Sequence, residues 1–215
     1  DDKEQSKNVA KLMRELKNKY KTTVNLDYIP NNVKLLNQIL SNTHSLIVEY
    51  PLSNLLSKVK LPDNLILVIR NNSEDSSLDK LQFKTVQFKA YDENDFSGLY
   101  QLITRLISDK GVTFSFDDSI VIKLQNVNNR IVCHYSVEEM QPYNEVELMV
   151  ESLLNLSDDI HIHFKSTEIE VEDLSYLEPT DDQLSGKPIT KSIASRIRSL
   201  KFTTENDDTL FVEIE

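Results

Sequence analysis

The chain has 215 residues, 39% hydrophobic and 27% charged, which is too apolar for wholesale disorder and enough to build one large domain or two small ones. Its net charge of −11 is uneven: residues 1–125 hold 17 Lys and Arg against 16 Asp and Glu, whereas residues 126–215 hold 7 against 19. Phosphate binding needs clustered Lys and Arg, so this balance argues against nucleic acid as the main ligand of the C-terminal half and favours a basic protein partner.

No apolar run approaches the roughly 18 residues that span a bilayer, and the strongest, Leu65–Ile69, is strand-sized, so no membrane partner is expected. The first residues carry no Met, no signal-peptide core and no Arg-rich transit pattern, which predicts a segment of a longer chain. With Cys133 as the single cysteine, no intrachain disulfide can form, and an intracellular setting, nuclear or cytoplasmic, is expected. Cys133 itself reads as a buried thiol in the strand Arg130–Tyr135 rather than as a nucleophile.

In chain order, Ser6–Tyr20 places Val9, Leu12, Met13, Leu16 and Tyr20 on one face of an amphipathic helix. Residues 1–21 form this N-terminal element, and their basic excess, seven Lys and Arg against four Asp and Glu, is slight. Residues 22–125 then alternate strands and helices. Strands are expected at 24–28, 45–50, 65–69 and 85–90, and helices after a cap at Asn31 or Asn32, after Pro51, and after a cap at Asp95. Gly111 is placed to close the last of these helices. Such alternation implies parallel crossovers, so a Rossmann-like or flavodoxin-like layered sheet is expected in the N-terminal half.

Residues 126–215 read as an acidic, mixed α+β part, which makes the chain α/β overall. A hairpin of Ser119–Leu124 and Arg130–Tyr135 around 125–129 is followed by a helix carrying Val146, Met149, Val150, Leu153 and Leu154. Ile160–Lys165 and Glu168–Val171 are expected to pair as a second hairpin. Ile189, Ile193, Ile197 and Leu200 space as a helical stripe, and Leu210–Ile214 as a last strand.

Chemistry is sparse. Three glycines, Gly98, Gly111 and Gly186, supply neither a dinucleotide loop nor a Walker A loop, so no cofactor and no small-molecule ligand is expected. His161 and His163 share one face of a strand, with Asp158 and Asp159 adjacent, a spacing compatible with metal but short of a third ligand. The reading adopted is structural, for these as for His44 and His134, and no metal is assigned. The acidic groups Asp117-Asp118, Glu168-Glu170-Glu172-Asp173 and Asp181-Asp182 read either as solvated faces or as cation or acid–base sites. No G-x-S-x-G or H-E-x-x-H motif occurs.

The leading expectation is therefore a non-catalytic interaction domain, a subunit or scaffold of a larger assembly. Its partner contacts would be Glu168, Glu170, Glu172 and Asp173 on the acidic face and Leu12 and Leu16 on the first helix. The alternative is a divergent enzyme on a Rossmann-like sheet, using Glu49, Arg70, Asn71 and Asp92 at strand ends.

Overall fold

A computed structural model describes residues 2–26, 32–50, 52, 54–69, 76–92, 95–138, 144–165, 191–204 and 207–214. The fold is mixed α/β, and the chain forms two compact units, Asp1–Lys89 and Ala90–Glu215.

The first unit begins with α1 (Asp2–Leu16), followed by β1 (Thr23–Asn25), α2 (Val33–Leu40), β2 (Ser45–Tyr50), β3 (Asn64–Ile69) and β4 (Thr85–Ala90). Of the two asparagines before α2, Asn32 is the cap: its side chain accepts a hydrogen bond from the Leu35 amide at 3.1 Å, satisfying a donor that the first helical turn cannot pair internally. The helix expected after Pro51 is shorter than its apolar spacing suggests, a single 3₁₀ turn at Leu56–Lys58. β1, β2 and β3 pair in parallel in sequence order, with β4 next beside β3. The order of these four strands thus lacks the reversal that creates a ligand crevice in doubly wound sheets. The apolar run of β3 is not buried on both faces: Leu65, Leu67 and Ile69 are in the core, while Ile66 and Val68 are half-buried.

α1 starts four residues before its expected position and packs on α2 through Ala10 and Met13, which meet Ile39 with Val24 and Leu35 alongside. Its inner face is rotated from the predicted stripe. The small Ala10 allows close approach, Leu16 is half-buried, and Leu12 remains 52% exposed.

The second unit contains α3 (Ser97–Leu106), β5 (Gly111–Phe116), β6 (Ile120–Val127), β7 (Arg130–Val137), α4 (Asn144–Leu156), β8 (Asp159–Lys165), α5 (Lys191–Ala194), β9 (Ile197–Thr203) and β10 (Thr209–Glu213). Asp95 receives the Ser97 amide at 2.9 Å just before α3. Gly111 does not close α3; it opens β5, a strand for which the sequence reading makes no prediction. β5, β6 and β7 form an antiparallel meander. Its turns use Asp117 and Asp118, then Asn128 and Asn129, all at positive φ, which Asp and Asn tolerate better than other side chains with a Cβ.

Two further expectations are corrected. β8 is no hairpin arm: both its edges are taken, by β7 and by β9, each in parallel, and residues 168–171 lie outside the described residues. The stripe Ile193, Ile197, Leu200 is not one helix, because α5 ends at Ala194 and Ile197 and Leu200 belong to β9. The spacing misleads because residues three or four apart coincide with buried positions of a helix end and of a strand that follows it after two residues.

Candidate functional site

The two faces of the second unit's sheet differ. Phe114, Ile122, Leu124, Cys133, Tyr135, Ile160, Ile162, Leu200 and Phe202 are buried on one face. α3 and α4 supply the apolar side chains Leu99, Ile103, Met149, Val150 and Leu153 to that core. Strand alternation sends the neighbouring residues to the other face, which no described helix covers. Register there sets Thr113, Lys123, His134, His161, Ser199 and Glu213 in one row across six strands. Val121, Ser136, His163, Lys201 and Phe211 form part of the next.

His161 and His163 therefore do share a face, as their spacing predicts. The His134 and His161 rings stack with centroids 4.9 Å apart. His161 Nδ1 hydrogen-bonds Ser199 Oγ at 2.7 Å, and His163 Nε2 hydrogen-bonds Thr203 Oγ1 at 2.9 Å. Burial holds His134 below the ordinary histidine value, helped by His161 and Lys123; burial does the same to His163, helped by Lys201 and Lys165. Among the described residues, no three His, Cys, Asp or Glu side chains group as metal ligands.

At the start of β8, Asp159 is not a candidate ligand but the centre of an ion cluster. Arg130 donates from Nε and Nη2 at 2.9 and 3.0 Å, and Arg198 from Nε at 3.0 Å. Arg198 is the residue skipped in the β8–β9 register, so its side chain is free to swing to Asp159. The Arg130 hydrogen bond is the main reason Asp159 lies below the usual carboxylate value, with Arg198 adding to it. Asp158 accepts the Ile131 amide at 2.7 Å.

Cys133 is fully buried, and desolvation pushes its thiol up to about 12 against a smaller opposing hydrogen bond from Ser157. The expected result is that iodoacetamide labels Cys133 about a thousandfold more slowly in the native protein than in urea at about pH 8. Equal rates in a mass-spectrometric time course would show the thiol to be accessible.

The remaining sequence candidates do not converge. His44 hydrogen-bonds Asn64. Glu49 is exposed on β2 in the first unit, and Asp92 is exposed after β4 in the second. Arg70, Asn71, Glu168, Glu170, Glu172, Asp173, Asp181 and Asp182 lie outside the described residues. No helix among the described residues is long and apolar enough to cross a membrane.

A second feature went unread. On β10, paired antiparallel to β9 alone among the described strands, Leu210, Phe211 and Val212 are exposed by 50%, 57% and 40%. Thr204 N donates to Asp208 O, and Ile214 N to Arg198 O, so residues 208 and 214 direct their backbone groups to β9. Alternation turns those of Thr209, Phe211 and Glu213 to the outer edge. The apolar pattern was visible in the sequence; the outer position of the strand was not.

No family model, no curated protein and no solved structure matches the chain.

Proposed function

We propose that this chain is a non-catalytic protein-interaction module, a subunit or scaffold of a larger assembly, which receives an extended partner segment along β10. The observation that carries the reading is the exposed Leu210-Phe211-Val212 run on an edge strand. Edge strands are ordinarily guarded by Lys, Pro, a bulge or a covering element, because their outward N–H and C=O groups template further pairing. β10 has none of the first three. Asp207, Asp208 and Glu213 flank the apolar centre and are exposed, so an apolar strand with basic residues at its ends is the complementary partner.

Phe211→Pro tests this directly. It removes an outward N–H while leaving the bonds to β9, so it is expected to shift the urea midpoint little. Affinity purification from the native cells is expected to yield a stoichiometric partner with the wild-type chain and to lose it with Phe211→Pro. Retention of the partner by that variant would remove β10 from the interface.

A further inference from the structure

The sheet face that no described helix covers carries a second surface of opposite sign. We propose that this face, across β6 to β9, docks an acidic polypeptide segment whose carboxylates meet Lys123, His134, His163 and Lys201. The observation is independent of β10. In a chain of net charge −11, this face concentrates Lys123, Lys165 and Lys201 with three imidazoles. Only Lys165 has a carboxylate partner among the described residues, Glu138 at 3.5 Å, while Lys123 and Lys201 have none. The face's other acid is Glu213, at its β10 edge, and Asp159 is held at one end by Arg130 and Arg198.

Geometry and charge set the occupant. Lys123 and Lys201 stand three strands and one row apart, about 16 Å, the reach of about five extended residues. One row runs Lys123, His134, His161 and Ser199 and the next Ser136, His163 and Lys201, so the lysines and imidazoles lie diagonally across the face with a serine hydroxyl at each side. A polypeptide can place carboxylates only where the cations are. A nucleic acid, charged at every residue, meets the repulsion of the whole acidic chain, and the face offers it Phe211 at one edge and the already stacked His134–His161 pair in place of a stacking ladder.

Neutral imidazoles also couple docking to protons. His134 stacks on His161 and faces Lys123; His163 faces Lys165 and Lys201. An incoming carboxylate favours the imidazolium forms, so docking takes up protons and tightens as pH falls.

The test is fluorescence anisotropy of the whole chain with a fluorescein-labelled Glu/Ser peptide, and with an oligothymidylate of equal length. The peptide is expected to bind saturably and more tightly at about pH 6.5 than at 7.5. Binding is expected to weaken at least about tenfold in Lys123→Glu/Lys201→Glu, and to return in Lys123→Arg/Lys201→Arg. Thermal melts check that each variant is folded. Phe211→Pro is expected to keep peptide binding, which separates failure here from failure at β10. No saturable peptide binding at low salt, or equal binding by the Glu variant, overturns the site; tighter binding of the oligothymidylate overturns the occupant.

Discussion

Arg196→Ala is expected to lower the unfolding free energy by about 2–3 kcal/mol, a large share of a typical domain's stability. α4 has no basic residue in its last turn, so the carbonyls at its C-terminus need donors from elsewhere. Arg196 supplies them from the turn between α5 and β9. Its Nη1 donates to the carbonyls of Asn155 at 2.9 Å, Leu154 at 3.4 Å and Ser157, and its Nε donates to Ser192 O at 3.0 Å. The guanidinium also lies at the negative end of the α4 dipole. Truncation takes the guanidinium from the part-buried Ser157 carbonyl and the exposed Asn155 carbonyl at once, while Leu154 O keeps the Ser157 amide and Ser192 O keeps the Ser195 hydroxyl. Lys, a single flexible point donor, should recover only part of the loss, and Met, which keeps the stem alone, almost none. Urea unfolding measures this; an Arg196→Ala value within about 0.5 kcal/mol of wild type would show that water replaces the guanidinium at no cost.

The second large effect is a two-step dependence of stability on acidity. His134 and His163 titrate below the ordinary 6.5 in the folded chain, so the fold favours their neutral forms. Their contribution is complete above 6.5 and is lost as pH falls through their lowered folded values. Asp159, lowered from 3.8, stabilises as the carboxylate, and its contribution disappears only in stronger acid. Asp159→Asn should cost about 1–2 kcal/mol at neutral pH, because Arg130 and Arg198 then lose the carboxylate they share and only Asp158 still acts on Arg130, and should erase the lower step. His134→Gln should flatten the upper step. Differences between variant and wild-type urea midpoints across pH isolate these terms from the general relief of acidic repulsion. Parallel profiles for wild type and Asp159→Asn would place the acid sensitivity elsewhere.

Local patterns carried much of the fold. Thr85–Ala90 is legible because alternation of apolar and polar residues needs no partner to be visible, and Ser45–Tyr50 because its apolar run is strand-sized. A cap at Asn31 or Asn32 was recognisable because such an interaction closes within three residues, and the structure selects Asn32. The common face of His161 and His163 follows from strand period alone. β5 and β9 were not legible in the same way: Val112–Phe116 gains its identity from pairing with β6, and Ile197–Thr203 from pairing with β8 and β10. Strand stability comes mainly from cross-strand neighbours, which a linear reading cannot place.

The sites divide along the same line. Sequence by itself determined the charge imbalance, the absence of a glycine-rich phosphate loop, and the period that puts two imidazoles on one side of a strand. Tertiary structure decided what those imidazoles meet. His134 reaches His161 from 27 residues away, and Ser199 and Thr203 reach His161 and His163 from 38 and 40. It also decided that Leu210-Phe211-Val212 lies at an edge and not in a core. Side-chain period is a local property of the backbone, whereas burial, pairing and the company a charge keeps depend on contacts between segments far apart in the chain.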